Sequence, residues 1–306
     1  MELIINEIQS PEGLIIELLN SQSGEKAHIL PECGGTLIQL FEHISIPGSG
    51  PIHQNAFHPS ALLAPWVNRV RNGNYSFQGR NYQLPITEPS LGNAIHGFLA
   101  RKSFQVMEKK ANHDKAILVL EHDYAGDYPG FPFPFIFQLT YELQINGHFY
   151  VHFDIKNTGE NHMPFAIGWH PYFSFPNADL SDLEISFSPQ SKFISDSQMI
   201  PFREESVEYL EPVDLAKESL DNVFRLKEAE FHTSILTNKR TQTRLCIKQN
   251  IHDFPFLVVF APENKGCVAI EPMTANTDAF NTFDGLKSLG PEENFSSRWR
   301  FGLADK

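Results

Sequence analysis

A long run of alternating side chains near the middle of the sequence restricts the fold more than any other feature. Apolar residues occupy every second position from Phe137 to Ile145 and again from Phe149 to Ile155. Strict alternation of this length is typical of strands with one buried face. Asn146-Gly147 lies between the two runs, and this dipeptide readily adopts the positive φ angles of a tight hairpin turn. The sequence therefore predicts a long β-hairpin within a large antiparallel sheet.

Shorter apolar runs, separated by turn residues, predict strands along the rest of the chain. The 26 phenylalanines and 21 prolines suit pleated strands and the turns between them. Residues 45–60 are rich in Pro and Gly and predict a loop, and Val213–Glu218 is a candidate short helix. No repeat or linker divides the chain, so we predict one large antiparallel all-β domain over residues 1–306. The further predicted strands are Leu14–Leu19, Ala27–Leu30, Gly34–Phe41, Tyr75–Phe77, Asn81–Leu84, Leu183–Phe187, Thr233–Leu236, Thr243–Lys248, Phe256–Phe260 and Cys267–Ile270.

Charge and cysteine content argue against several classes of protein. The net charge is −13 and no basic run stands out, which argues against a nucleic-acid partner. The three cysteines, Cys33, Cys246 and Cys267, are odd in number and widely spaced, so neither a disulfide framework nor a zinc site is indicated. The N-terminus lacks a basic region followed by an apolar one, and no apolar run reaches membrane-spanning length. We expect a soluble cytoplasmic protein.

Three titratable side chains stand at the ends of apolar segments or just before turns. His170 precedes Pro171, which removes a backbone donor and prevents a helix from continuing there. Such a histidine either faces a ligand or packs in the core. Glu271 directly follows the apolar run Val268–Ile270, where a carboxylate is costly to bury without a partner. It is alternatively a surface residue at a strand end, and His96, beside Gly97, is alternatively a packed turn residue.

Five short stretches, taken together, resemble the aldose 1-epimerase (galactose mutarotase) family. They occur in the family's order and span most of the chain, and the C-terminal segment around Trp299 also resembles the family's closing strands. The resemblance implies a large twisted antiparallel β-sandwich, called a supersandwich, with a sugar cleft on one sheet face. The stretches are Asn68–Gly73, Asn93–Gly97, Gly168–Phe173, Leu220–Phe224, and Glu271–Thr274 with Asp278–Asn281.

The resemblance also implies a role for each matched residue. His170 corresponds to the general acid that protonates the ring oxygen, and Glu271 to the general base for the anomeric hydroxyl. His96 corresponds to a second histidine, which holds the sugar and favours the same shift of charge. The residues that correspond to the hydroxyl-binding groups and their support are Arg69, Asp221 and Asn68.

The implied reaction suits these residue types. A base removes the anomeric proton while an acid protonates the departing ring oxygen, and the open aldehyde recloses from its other face. Activity that needs Glu271 ionised and a histidine protonated would have a bell-shaped pH profile. The two pKa values of that profile would describe the coupled site rather than single residues. The expected partner is a small monosaccharide. No metal or redox cofactor is expected, and monomer and homodimer both remain open.

Other readings of the same stretches stay open. A hexose-6-phosphate 1-epimerase would need several cations around a dianion, and a non-catalytic sugar-binding protein would need no acid or base. A glycoside hydrolase would need paired carboxylates, of which the matched stretches supply one. The residues around Asn68 and Glu271 differ from those of the best-studied galactose enzymes, so the preferred sugar stays open. The cations available to bind a phosphate are Arg71, Arg80, Arg101 and Lys102.

Several aromatic residues either contact a sugar or pack in the core. They are Trp66, Trp169, Tyr172 and Tyr128–Phe131.

Overall fold

The structure is a computed structural model that describes residues 3–41, 58–263 and 265–303. The predicted loop at 45–60 lies outside the described residues except for His58–Ser60. The described helical segments are short: α1 (Ala279–Thr282) and 3-10 turns at Arg71–Gly73, Leu99–Arg101 and Leu180–Asp182. The first strands in chain order are β1 (Leu3–Ser10), β2 (Gly13–Asn20), β3 (Lys26–Leu30), β4 (Thr36–Leu40), β5 (Ala61–Leu63), β6 (Arg69–Val70), β7 (Asn74–Phe77), β8 (Arg80–Gln83), β9 (Ala94–Ile95), β10 (Gln105–Ala111), β11 (Lys115–Tyr124), β12 (Phe135–Gln144) and β13 (Phe149–Asn157). They are followed by β14 (Met163–Phe165), β15 (Gly168–His170), β16 (Tyr172–Phe173), β17 (Leu183–Ser186), β18 (Pro189–Ser195), β19 (Pro201–Ser206), β20 (Val213–Asp214), β21 (Asp221–Leu226), β22 (Phe231–Asn238), β23 (Arg244–Asn250), β24 (Phe256–Phe260), β25 (Val268–Met273), β26 (Lys287–Leu289) and β27 (Asn294–Leu303).

The predicted long hairpin is confirmed and lies inside the larger of two main sheets. Strands β12 and β13 pair antiparallel, with Phe135 opposite Asn157 and Leu143 opposite Phe149. The nine-stranded sheet has the order β10-β11-β12-β13-β27-β23-β22-β17-β20. A four-stranded meander, β1-β2-β3-β4, contacts strands β10–β12 of this sheet. Strands β2, β3 and β4 confirm the predicted strands Leu14–Leu19, Ala27–Leu30 and Gly34–Phe41, whereas β1 was not predicted.

The second main sheet carries the residues of the predicted site. Its order is β19-β18-β21-β24-β25-β15-β5, and β16 also pairs with β25. One face packs on the nine-stranded sheet: Trp169 stacks on Trp299 with ring centroids 5.9 Å apart, and Phe173 lies 6.0 Å from Phe301. Aromatic pairs of this kind join the two sheets into the predicted antiparallel β-sandwich.

Alternation along the strands directs polar side chains to the opposite face of this second sheet. Trp169 and Ile270 belong to the buried core. Because successive side chains in a strand point to opposite faces, the next residues, His170 and Glu271, point away from that core. The fold therefore collects the predicted polar residues on the outer face of the eight-stranded sheet.

The predicted short helix at Val213–Glu218 is wrong. Val213 and Asp214 form β20, which pairs with Ile185 and Glu184 of β17. A turn follows, in which the carbonyl of Asp214 accepts from the backbone N–H groups of Lys217 and Glu218. Sheet pairing at the edge of the nine-stranded sheet overrides the local helical preference of this segment. Among the described residues, no helix is long and apolar enough to cross a membrane.

Candidate active site

Sheet register brings the histidine and the carboxylate together. Gly168 is opposite Met273 in the β15–β25 pair, and Tyr172 is opposite Ala269 in the β16–β25 pair. The same register between these two positions places His170 opposite Glu271, where Cβ atoms are about 4.5–5.5 Å apart. Nε2 of His170 lies 3.3 Å from Oε1 of Glu271, and both side chains are buried.

Burial sets the electrostatics of this pair. It raises the pKa of the Glu271 carboxyl well above its usual range, and the nearby Asp221 carboxylate raises it further while Arg69 opposes the rise. Burial, together with the nearby His58, lowers the pKa of His170 to about 3. Both shifts disfavour an isolated charge on either group. The pair therefore holds one proton between its two members over a wide pH range.

Two hydrogen bonds to one carboxylate hold the Arg69 guanidinium in place. Its Nε donates to Oε2 of Glu88 at 2.9 Å, and its Nη2 donates to Oε1 of the same carboxylate at 2.8 Å. Nη1 donates to Oδ1 of Asn68 at 3.0 Å. Asn93, which is fully buried, donates to Glu88 at 3.3 Å and so holds the carboxylate in turn. Bidentate contacts of this kind fix the plane of a guanidinium.

His96 approaches the pair from a tight turn. Its backbone N–H donates to the carbonyl of Asn68, its φ is +61°, and its ring centroid lies 5.3 Å from that of His170. The turn requires glycine next, because a Cβ on Gly97 would lie 2.0 Å from the carbonyl oxygen of Ala64. Burial lowers the pKa of His96 well below its usual range, and the neighbouring histidines add to this effect.

The matched stretch Asp278–Asn281 forms hydrogen bonds that hold the backbone around Arg69. The Asp278 carboxylate accepts from the backbone N–H of Arg71 at 2.9 Å and from Asn281 at 2.7 Å. The backbone N–H of Asp278 also donates to the carbonyl of Arg69. These contacts hold the short strand β6 that carries Arg69.

One cleft of about 510 Å³ brings the predicted residues together. All six predicted site residues line it, namely His170, Glu271, His96, Asn68, Arg69 and Asp221. Sequence reasoning missed His58 and Glu88 as cleft residues. His58-Pro59 repeats the dipeptide of His170-Pro171, which was a usable signal, whereas nothing in the sequence around Glu88 distinguishes it from a surface carboxylate.

The aromatic candidates divide between the core and the cleft. Trp66 is fully buried and packs on Phe98, and Trp169 packs on Trp299, so both are core residues. Tyr172 lines the cleft and stacks on His170 with ring centroids 5.0 Å apart. Within Tyr128–Phe131, Tyr128 is half-buried and stacks on Phe98, and Phe131 is fully buried.

The cations considered for a phosphate do not converge. Arg71 is bound by Asp196 at 2.5 Å and by Gln198 at 2.6 Å. Lys102 lies over the Phe98 ring, and Arg80 lines a separate depression. Arg101 does line the cleft. Among residues 3–41, 58–263 and 265–303, no group of three His, Cys, Asp or Glu side chains is placed to hold a metal ion.

Comparison with known proteins connects this cleft to one family. The sequence matches the family model "Aldose 1-epimerase" over residues 33–302. It is 27% identical over 248 residues to the uncharacterized protein YihR of Escherichia coli (strain K12), covering 78% of this chain and 77% of that protein.

Solved structures show the same fold. A galactose mutarotase-like protein from Clostridium acetobutylicum matches with a TM-score of 0.90 and 22% identity, covering 100% of this chain and 99% of that one. Galactose 1-epimerase from Lactobacillus acidophilus NCFM matches with a TM-score of 0.81 and 17% identity, covering 99% of each chain.

Proposed function

Because the chain belongs to the aldose 1-epimerase family, we propose that it interconverts the α and β anomers of a free hexose. The contact between His170 and Glu271 carries this proposal. An acid and a base on neighbouring strands face one cleft with Nε2 and Oε1 3.3 Å apart. The ring oxygen and the hydroxyl oxygen of a cyclic hemiacetal are bonded to the same carbon, so the two groups that serve them must lie close together.

Ring opening follows from this geometry. Glu271 takes the proton of the anomeric hydroxyl, and the electrons of that O–H bond form the aldehyde C=O. The bond between C1 and the ring oxygen breaks, and His170 gives its proton to that oxygen. Rotation about the C1–C2 bond turns the other aldehyde face to the hydroxyl, and the reverse transfers close the ring. Each positioned proton transfer typically contributes about 10²–10⁴-fold to the rate.

The proton count of the buried pair suits a reversible reaction. Before opening, the proton lies on His170, and after opening one lies on Glu271, so the pair holds one proton in both states. Burial disfavours both an ionised Glu271 and a protonated His170. Ring closure by the reverse transfers restores the starting protonation.

The other cleft residues bind the sugar in this proposal. His96, at 5.3 Å from the His170 ring, holds the sugar beside the ring oxygen and favours the same shift of charge. Arg69 and Asp221 bind hydroxyl groups, and Asn68 supports the Arg69 guanidinium through its Oδ1. The two main sheets contribute to one continuous core, which supports the proposal that residues 1–306 form a single domain.

A hexose 6-phosphate is the second substrate to compare. Arg101 lines the cleft and has no ion-pair partner among the described residues, which favours testing an anionic sugar. Arg69, however, is already neutralised by Glu88 at 2.8 Å. The described residues of the cleft thus offer one unpaired guanidinium, which is fewer than a dianion usually recruits, so the free hexose is the better-supported substrate.

Polarimetry of freshly dissolved sugars tests the proposal. The wild-type protein is added to α-D-glucose, α-D-galactose or D-glucose 6-phosphate, and relaxation to the equilibrium rotation is followed against the spontaneous rate. The proposal predicts faster relaxation for a free hexose than for its 6-phosphate. Acceleration of the phosphate alone would assign the second substrate, and no acceleration of any sugar would favour a binding role.

A further inference from the structure

The cleft contains a third histidine, His58, whose position is fixed by the order of the strands. Across the eight-stranded sheet, Glu271 lies on β25, His170 on the adjacent β15, and His58 just before β5, which pairs with the other edge of β15. Neighbouring strands lie about 4.8 Å apart. In the order of the sheet, His170 therefore lies between Glu271 on one side and the turn that carries His58 on the other.

The turn that carries His58 is tied directly to the His170 strand. The Ser60 N–H donates to the carbonyl of His170 at 2.9 Å, and the Trp169 indole N–H donates to the carbonyl of Ser60 at 3.0 Å. His58 and Ser60 both have left-handed backbone angles, with φ of +50° and +51°. Non-glycine residues persist in this region only where surrounding contacts hold them, and such positions cluster at functional sites.

These contacts aim the His58 ring into the cleft. Its centroid lies 4.8 Å from that of His96 in an edge-to-face arrangement and 6.5 Å from that of His170. Burial, together with the neighbouring Arg101, lowers the pKa of His58 to about 4. The imidazole is therefore neutral near pH 7, with one nitrogen that donates and one that accepts. A group of this kind suits a hydroxyl, which also donates and accepts.

The bonding in a pyranose ring indicates which sugar atoms lie on the His58 side of His170. The ring oxygen is bonded to C1 on one side and to C5 on the other, and C5 carries the exocyclic C6. In the proposed function, Glu271 serves the hydroxyl on C1 and His170 serves the ring oxygen. The side of His170 away from Glu271 then faces C5 and C6.

The geometry points to His58 as a specificity-determining residue that hydrogen-bonds the C6 hydroxyl of a hexopyranose. This inference rests on the proposed function, because the direction of the sugar is set by the assignments of His170 and Glu271. It adds a substrate class: hexoses with a free C6 hydroxyl are preferred over their 6-deoxy counterparts.

Kinetics with a matched pair of sugars test the assignment. D-glucose and 6-deoxy-D-glucose differ only in the C6 hydroxyl, and mutarotation of each is measured with wild type, His58→Ala and His58→Asn. The wild type should prefer glucose by about threefold to tenfold in kcat/KM, the range that one neutral hydrogen bond supplies. His58→Ala should lose that preference, chiefly through KM for glucose, while its kinetics with the 6-deoxy sugar stay close to wild type.

The outcomes distinguish a failure of this inference from a failure of the proposed function. A wild type that treats the two sugars alike overturns the His58 assignment without any variant. Equal losses on both sugars in a folded His58→Ala protein overturn it as well. His152→Ala, a half-buried histidine on β13 outside the cleft, serves as the control and should keep the wild-type preference. A wild type that accelerates neither sugar, nor any other free hexose, overturns the proposed function itself.

Discussion

His170 and Glu271 face each other across neighbouring antiparallel strands, with Nε2 and Oε1 3.3 Å apart in a buried setting. Neither group gains from carrying a charge alone there, since burial disfavours an ionised carboxylate and a protonated imidazole alike. The pair therefore titrates as a unit that holds two, one or no protons. In the proposed mechanism the state with one proton is the working state.

The pH dependence of kcat/KM follows from this proton count, because kcat/KM reports the groups of the free enzyme. As pH falls, the pair takes up its second proton on the buried His170, whose pKa is about 3. The base is therefore lost only well below pH 6.5. As pH rises, the shared proton leaves above the usual carboxyl range, because burial raises the pKa of Glu271. We expect kcat/KM to stay level through pH 6.5 and to fall on both sides of a broad plateau.

Mutarotation rates at a series of pH values, each corrected for the spontaneous reaction, check this profile. Tryptophan fluorescence at each pH confirms that the protein remains folded. An acid limb centred near pH 6.5 would contradict the buried pair, because it would indicate a histidine in an ordinary, solvated environment.

Glu88 is predicted to act by positioning Arg69. Glu88→Gln keeps the shape of the side chain but replaces one acceptor oxygen with an amide that faces a guanidinium donor. A hydrogen bond to a charged group contributes about 1.5–3 kcal/mol, so we expect KM to rise by about tenfold or more with a smaller change in kcat.

A matched carboxylate elsewhere provides the control for Glu88. Glu204 contacts Arg225 with both oxygens, at 2.9 and 3.5 Å, outside the cleft. Glu204→Gln should leave steady-state kinetics unchanged. Equal kinetic effects of the two substitutions would show that Glu88 has no special relation to the substrate.

Gly97 is predicted to be essential for the turn that carries His96. Its φ is +63°, and an added Cβ would lie 2.0 Å from the Ala64 carbonyl oxygen, so Gly97→Ala forces the backbone to move. Gly79 has a similar φ of +76° but open space around the added Cβ. Gly79→Ala should cost about 1–2 kcal/mol for the left-handed conformation alone, and Gly97→Ala clearly more. Urea unfolding compares the two, and equal losses of stability would contradict the close contact at Gly97.

Local patterns predicted much of the fold. Alternation from Phe137 to Ile145, followed by Asn146-Gly147, is a property of adjacent residues, so the hairpin β12–β13 was readable from the sequence. The edge strand β20 was not, because its extended form depends on pairing with β17 rather than on its own residues. The identity of Trp66 likewise left open whether it packs in the core or faces a ligand, and its complete burial decides for the core.

The site was predictable as a set of residues but not as a geometry. The matched stretches named six residues that now line one cleft. The opposition of His170 and Glu271 depends on the register of two strands far apart in the chain, which no local pattern encodes. His58 and Glu88 enter the cleft through loops and turns, whose conformation depends on tertiary contacts such as that between Ser60 and His170.

The central claim is that His170 and Glu271 act together in proton transfer, and the mutarotation rate of their single and double variants tests it most directly. His170→Asn and Glu271→Gln should each lower kcat by about 10²–10⁴-fold, and the double variant should lose little more, because the two groups act as a unit. His232→Asn and Glu142→Gln replace buried residues outside the cleft and should retain the wild-type rate. A folded His170→Asn or Glu271→Gln protein that retains the wild-type rate would contradict the account.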